Sequence, residues 1–83
     1  MTSTFTTYIL KSVLFNKTYV GHTDSMSRRL REHNEGKSTY SKRYKPWIII
    51  HKENFNSLEE AIKREKYFKS AAGRRWIKKI YFI

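Results

Sequence analysis

The chain has 83 residues, with 18 lysines and arginines against 7 acidic residues, for a formal net charge of +11. This length fits one small domain and excludes a second, so residues 1–83 are predicted to fold as a single unit. Cysteine is absent, which excludes disulfides and thiolate zinc sites. No run approaches the roughly 18 apolar residues of a membrane span. The segment Met1–Thr7 lacks the basic start and apolar run of a signal peptide. We therefore expect a cytoplasmic protein with no membrane partner.

The positive charge is concentrated in the second part of the chain. Five of the cationic residues lie in residues 1–36, against thirteen in residues 37–83. Such a field favours a polyanionic partner, and nucleic acid is the commonest one. The alternative is a solvated surface that serves solubility alone.

The first predicted elements are two strands, over residues 5–14 and 17–22, rich in β-branched and aromatic residues. Their short connection predicts an antiparallel hairpin. Period-two alternation puts Tyr19 and Gly21 on one face, and the glycine would let another group or a ligand come close. Tyr8 and Tyr19 therefore lie on neighbouring strands, either as core aromatics or as part of a polar site.

A helix is predicted next, from a cap at Thr23 or Asp24 to about Asn34, where Gly36 stops it. The segment 37–45 is polar, basic and aromatic, and is predicted to be a loop or one irregular helical turn.

An apolar run, Trp47–Ile50, predicts a third strand. Because this run is apolar on both faces, we expect it to be the central strand of the sheet.

A capping box of Ser57 and Glu60 predicts the start of another helix. Glu65 falls on the apolar stripe of that helix. Gly73 is expected to break the chain before a last helix begins at Arg74. The inward residues of that last helix are predicted to be Trp76, Ile77 and Ile80.

Glu65 is the residue whose position most needs a chemical explanation. A carboxylate on an apolar stripe is costly to bury unless it is paired or bound to a metal. One interpretation is an ion pair with a neighbouring lysine or arginine. The other is a lone ligand for a hard divalent cation such as Mg²⁺, which needs only one or two carboxylates besides water and substrate phosphate.

Arg29 and His33 lie four residues apart and so share one side of their helix. They form either a solvated helix face or a phosphate clamp with a polar or proton-transferring neighbour. A phenol such as Tyr8 or Tyr19 can orient or deprotonate a water, but its usual pKa near 10 makes it a poor base without nearby positive charge.

Together these residues carry a resemblance to the GIY-YIG nuclease superfamily over about residues 5–80. The chain is most similar to the small stand-alone bacterial branch, and more distantly to the N-terminal nuclease domain of the bacterial excision-repair nuclease. The matching strings are Tyr19-Val20-Gly21-His22-Thr23-Asp24, Arg28-Arg29-Leu30-Arg31-Glu32-His33-Asn34 with Gly36, and Glu60-Ala61-Ile62-Lys63-Arg64-Glu65.

The resemblance implies an α+β fold, with a three-stranded antiparallel sheet flanked by helices. It also implies a metal-dependent endonuclease that hydrolyses DNA phosphodiester bonds. In that scheme Glu65 holds one Mg²⁺ or Mn²⁺ and Arg29 stabilises the developing charge. Tyr8 orients or deprotonates the attacking water, Tyr19 supports it, and His33 lies near the nucleophile. Which phenol acts as the base stays open.

Two features depart from the family pattern. The first motif keeps only its tyrosine, as Thr6-Thr7-Tyr8, and Lys66 follows the glutamate where repair enzymes tend to have asparagine. The sequence has no second DNA-binding domain, so we expect a structure-guided or poorly sequence-specific enzyme with a role in repair or recombination. Two other hypotheses are a non-catalytic nucleic-acid-binding module and a component of a larger assembly whose target comes from a protein partner. Candidate nucleic-acid contacts are Arg28, Lys42, Arg43, Lys45 and Lys69.

Overall fold

Three antiparallel strands form one sheet in the order β2-β1-β3, and four helices accompany it. The computed structural model describes residues 4–81; both ends of the predicted 1–83 domain, residues 1–3 and 82–83, lie outside the described part. The α+β class with a three-stranded antiparallel sheet is confirmed. The elements are β1 (Phe5–Ser12), β2 (Thr18–Thr23), α1 (Met26–Asn34), α2 (Thr39–Tyr44), β3 (Trp47–Phe55), α3 (Leu58–Lys69) and α4 (Ala71–Tyr81).

The central strand is β1, so the prediction that Trp47–Ile50 would be central was wrong. Ile9 and Leu10 of β1 are fully buried, whereas Ile48 of β3 is 50% exposed. The pairing of β1 with β3 shifts register between Ile9 and Leu10, where a bulge interrupts the ladder. An unbroken apolar run therefore belongs here to an edge strand with one bulged residue and one solvent-facing isoleucine.

The two faces of the sheet carry separate apolar clusters. On one face, Tyr8, Leu10 and Trp47 pack with side chains of α1 and α2. On the other, Ile9 packs with Phe68 of α3 and with α4. Burying one such side chain contributes about 1.5–3 kcal/mol. Because β1 supplies both clusters, it joins the two halves of the core.

The hairpin and the first helix begin and end slightly differently from the prediction. β1 ends at Ser12, whose Oγ accepts a hydrogen bond from the Phe15 backbone N–H at 3.0 Å. The residue at the N-terminus of α1 is Ser25, and Thr23 Oγ1 instead accepts from the Ser25 N–H at 3.1 Å. Gly36, with φ of 76°, follows the end of α1 as predicted.

Segment 37–45 contains a helical turn, α2, one of the two predicted alternatives. The Ser57 hydroxyl accepts from the Glu60 N–H at 3.2 Å, so the predicted start of α3 is confirmed.

Gly73 does not break the chain, contrary to the prediction. It is buried in the first turn of α4, which begins at Ala71, and a Cβ there would lie 2.1 Å from the Tyr67 carbonyl oxygen. The glycine serves close helix packing rather than helix termination. Ile77 is buried as predicted, but Ile80 is 47% exposed, so its predicted inward position was wrong. Among residues 4–81, no helix has the length and apolar character needed to cross a bilayer.

Candidate active site

The two tyrosines lie side by side on one face of the sheet. Tyr8 pairs with Gly21 and Leu10 pairs with Tyr19 across the β1–β2 ladder. Paired residues point to the same side, so the phenol rings stack, with centroids 6.2 Å apart and planes inclined by 21°. Tyr8 is only 1% exposed, whereas Tyr19 is partly exposed. The phenol that solvent can reach is therefore Tyr19.

Gly21 provides the room for Tyr8. A Cβ at residue 21 would lie 2.6 Å from the Tyr8 hydroxyl oxygen and 3.0 Å from Cε1 of Tyr19. The close approach expected at this glycine is made by the chain's own phenols.

Helix α1 crosses the same face and adds Arg29 and His33. Arg29 Nε donates to the Tyr8 hydroxyl oxygen at 3.3 Å, and the Tyr8 oxygen lies 3.1 Å from His33 Nε2. The His33 ring is also 4.4 Å from the Tyr19 ring, between centroids. Arg29 and His33 thus share one helix side, as predicted, and that side faces the phenols.

The ionisation states of this group follow from burial. Burial raises the pKa of Tyr8 to about 12, although the hydrogen bond and charge of Arg29 act against it. Burial, and then the Arg29 charge, lower the pKa of His33 to about 4. Both groups are therefore neutral at pH 7, and the phenol donates its proton to Nε2 of the imidazole.

Arg29 stays charged throughout. Hydrogen bonding to Tyr8 raises the pKa of Arg29 above its usual high value, and Glu32 and Tyr19 contribute in the same direction. Its Nη1 donates to Glu32 Oε1 at 3.1 Å. The guanidinium is thus a fixed cation held by phenols and one carboxylate, rather than a freely solvated side chain.

Glu65 lies on the other side of the sheet. Thr7 pairs with His22, and the Thr7 hydroxyl donates to the Ala61 carbonyl of α3 at 2.7 Å. His22 therefore points to the α3 side, where its Nδ1 lies 2.5 Å from Glu65 Oε1. Lys69 Nζ donates to Glu65 Oε2 at 2.7 Å. The ion-pair interpretation of Glu65 is thus present in the structure.

These contacts keep the Glu65 carboxylate ionised. Burial acts to raise its pKa, but the hydrogen bonds and charges of Lys69 and His22 outweigh burial and hold the pKa below the usual range. Residues 4–81 contain no group of three or more His, Cys, Asp or Glu placed to hold a metal ion. One ionised carboxylate with an imidazole beside it still fits a hard divalent ion that keeps most of its waters.

A surface cleft brings the two sides of the sheet together. It has a volume of about 400 Å³ and lies where β2 ends and α1 begins. Arg29 lines it from the side of the phenols, and His22 lines it from the side of Glu65. The edge strand β2 is therefore the point where the two groups of predicted site residues meet.

The predicted nucleic-acid contacts fall into two groups. Arg28 pairs with Asp24 at 2.8 Å, and Lys69 pairs with Glu65, so an acid partly offsets each charge. Within the described residues, the remaining three form no ion pair and are exposed on or just after α2. They are Lys42, Arg43 and Lys45.

His22 is the site residue that the sequence reasoning missed. The signal was present, because alternation from Gly21 places residue 22 on the opposite face, where α3 packs. That face could not be paired with Glu65 until the position of α3 against β2 was known.

Comparison with known proteins adds a family and a fold match. A family model described as the GIY-YIG catalytic domain matches residues 4–79. A UPF0213 protein of Staphylococcus haemolyticus is 33% identical over 66 residues, covering 78% of this chain and 80% of that protein. The UPF0213 protein YazA of Bacillus subtilis is 34% identical over 61 residues, and the match spans only 62% of that relative's length. The solution NMR structure of a UPF0213 protein from Bacillus halodurans matches with a TM-score of 0.55 at 26% identity, covering 94% of this chain and 85% of that one.

Proposed function

Because this chain belongs to the GIY-YIG family, we propose that it is a metal-dependent endonuclease that hydrolyses DNA phosphodiester bonds with one divalent ion. The observation that carries the proposal is the shared cleft. Arg29, held by the phenol group, and His22, held by Glu65, line the same 400 Å³ opening. A cation and an ionised carboxylate on either side of one strand edge suit a phosphodiester between them.

Arg29 is the proposed stabiliser of charge on the scissile phosphate. Its guanidinium is charged at any working pH and is oriented by Tyr8 and Glu32. Donors oriented in advance need no reorganisation as charge develops on the phosphate oxygens, which is how such groups lower a barrier.

Glu65 is the proposed ligand for Mg²⁺ or Mn²⁺, with His22 orienting the carboxylate through Oε1. Lys69 contacts Oε2, so it must move aside when that oxygen binds an ion. When bound, the ion supplies positive charge to the scissile phosphate and the leaving oxygen.

The family resemblance gives the water-orienting role to Tyr8, whereas burial favours Tyr19. Tyr8 is 1% exposed, and its hydroxyl oxygen is already bonded to Arg29 and His33. Tyr19 is partly exposed and stacks on Tyr8. We assign Tyr19 to the attacking water, and Tyr8 and His33 to holding Arg29 in place.

The energetics of proton transfer also disfavour Tyr8 as the base. With a pKa of about 12 for Tyr8 and about 4 for His33, moving a proton from phenol to imidazole costs on the order of 11 kcal/mol. A relay from water through Tyr8 to His33 would add that cost to the chemical barrier. The pair acts as a neutral hydrogen-bonded support instead.

The basic surface is proposed to hold DNA by its phosphates. Lys42, Arg43 and Lys45 extend one cationic patch beyond the cleft. Phosphate contacts position a protein without reading sequence, so we propose cleavage guided by DNA structure, with a role in repair or recombination.

The test is cleavage of nicked, branched and single-stranded DNA with Mg²⁺ or Mn²⁺, and with chelator. Glu65→Gln should abolish cleavage while DNA binding persists, because the amide keeps the shape and loses the charge. Lys66→Gln, one residue away and exposed, is the matched control. Cleavage that survives chelator or Glu65→Gln would sink the single-metal proposal.

The second candidate function is a non-catalytic nucleic-acid-binding module. The contacts to Lys69 and His22 favour it, because they engage both oxygens of Glu65. Binding without cleavage on every substrate would select it. If cleavage appeared only after a cell extract was added, a protein partner that supplies the target would be indicated.

A further inference from the structure

A second cleft runs along the outer edge of β2, away from the opening that Arg29 lines. Its volume is about 590 Å³, and it lies between Tyr40 of α2 and the corner where α3 meets α4. None of the residues that line it is acidic. Its rim carries four cations, Lys17, Lys69, Arg74 and Lys78.

The charge of this cleft is largely uncompensated. Lys17, Arg74 and Lys78 are exposed, and within residues 4–81 they form no ion pair. Only Lys69 has a carboxylate partner, Glu65. Like charges gathered around one groove repel one another, so a bound polyanion would relieve their repulsion.

An aromatic ring stands at the α2 side of the cleft. Tyr40 is 40% exposed, and its hydroxyl donates to the Thr18 carbonyl of β2 at 3.0 Å. Its ring also stacks on Trp47, with centroids 5.8 Å apart. A ring fixed at both ends offers a preformed stacking surface. Cationic grooves with such rings are how proteins hold single-stranded nucleic acid.

The cleft connects to the proposed catalytic carboxylate through one residue. Lys69 lines the cleft and contacts Glu65 Oε2. A strand that leaves a phosphate near Glu65 would therefore enter the groove at Lys69. The floor is apolar, formed by Val20, Phe68 and Ile77.

We propose that this cleft binds a single strand of nucleic acid that flanks the scissile phosphate. A duplex presents phosphates and sugars to such a groove, whereas a single strand also offers base faces to Tyr40 and to the apolar floor. The position of the cut rests on the proposed function. Binding of the strand does not, and can be measured without cleavage.

The test measures binding of a fluorescent single-stranded oligonucleotide to the whole chain by anisotropy, in chelator, over a series of salt concentrations. The cleft variant is Lys17→Ala/Arg74→Ala/Lys78→Ala. The matched control is Lys52→Ala/Lys63→Ala/Lys66→Ala, which removes the same charge from exposed positions outside the cleft. We expect the salt slope of the cleft variant to fall by about 2, at roughly 0.7 for each lost phosphate contact, with affinity about tenfold weaker. The control should keep the slope and affinity of the parent protein.

A second measurement tests the stacking surface. Replacing the bases opposite the cleft with abasic sites should weaken binding to the parent protein at an unchanged salt slope. Tyr40→Ala should weaken binding to the normal oligonucleotide and remove its advantage over the abasic one. Thermal unfolding of each variant shows whether the fold is kept, and the abasic comparison on the parent protein decides the matter even if Tyr40→Ala does not fold.

Three results would overturn the proposal. Equal losses in the cleft and control variants would mean that net charge alone binds the strand. Duplex bound as tightly as single strand would refute the strand preference. Displacement by an acidic peptide at lower concentration than by oligonucleotide would identify the ligand as protein. Retained cleft binding together with no cleavage of any DNA would refute only the proposed catalytic function.

Discussion

The hydroxyl oxygen of Tyr8 lies 2.6 Å from the position that a Cβ atom on Gly21 would take. The phenol therefore occupies the space of the side chain that β2 lacks at this residue. The same hydroxyl oxygen binds Arg29 and His33, so the missing side chain determines where the whole phenol group can sit.

Gly21→Ala should therefore displace Tyr8 and damage both stability and activity. Overpacking of a well-filled core costs about 1–3 kcal/mol, and chemical denaturation measures it. The control is the same substitution in a Tyr8→Phe background, where the closest atom is gone. We expect a smaller cost for Gly21→Ala in that background; equal costs would show that the hydroxyl is not the obstacle.

Tyr8→Phe and Tyr19→Phe should separate a structural phenol from a catalytic one. Losing the Tyr8 hydroxyl leaves Arg29 Nε and the buried His33 Nε2 without their partner, which costs about 1–3 kcal/mol of stability. Losing the Tyr19 hydroxyl should lower the cleavage rate while the free energy of unfolding changes little. Single-turnover cleavage and urea titration of both variants give the two readouts. A Tyr19→Phe protein that cleaves at the parental rate would return the water-orienting role to Tyr8.

His33 should make the protein less stable in mild acid. Its folded-state pKa is about 4 against a usual value of 6.5, so the unfolded chain binds more protons when the pH lies between these values. Its effect is absent above pH 6.5 and grows as the pH falls toward 4, reaching about 2–3 kcal/mol near pH 4.5. His33→Gln keeps an acceptor for Tyr8 and should flatten the stability profile between pH 6.5 and 4.5. Parallel profiles for the two proteins would show that the pKa of His33 is not depressed in this way.

Lys69→Met should let Glu65 bind a divalent ion at lower concentration. The Lys69 ammonium contacts Glu65 Oε2 at 2.7 Å and competes for the oxygen that an ion would use. Titration with Mn²⁺ followed by electron paramagnetic resonance, without DNA, measures the change directly. Lys66→Met, with the same loss of charge on the same helix, is the control. If both variants bind Mn²⁺ like the parent, Lys69 does not guard the carboxylate.

The local patterns predicted most of the elements, because each is written in adjacent residues. The Ser57 cap and the Gly36 stop depend on neighbouring backbone groups, and both were found. The position of Gly73 was misjudged because glycine can end a helix or allow another backbone close, and only the Tyr67 carbonyl distinguishes the two.

Long-range arrangement was harder to predict. The apolar run at Trp47–Ile50 was predicted to be central, but β1 is buried on both faces despite its threonines and Tyr8. Thr7 is satisfied there by the Ala61 carbonyl. In the same way, Arg29 and His33 were predictable as a helical pair, while the contact of His22 with Glu65 joins residues 43 positions apart. Such pairings depend on how α3 packs against the sheet, which local periodicity does not encode.

The tight corner at Gly73 has a consequence for how a ligand would be received. A single residue, Ser70, separates α3 from α4, and the Ser70 hydroxyl accepts from the Gly73 N–H at 3.2 Å. Lys69, Arg74 and Lys78 are thus mounted on two helices that are fastened to each other before anything binds. A partner that meets these charges finds their backbones already ordered, so less conformational entropy is lost on association. The glycine that allows two helices to touch thereby also keeps three cations in a constant mutual arrangement.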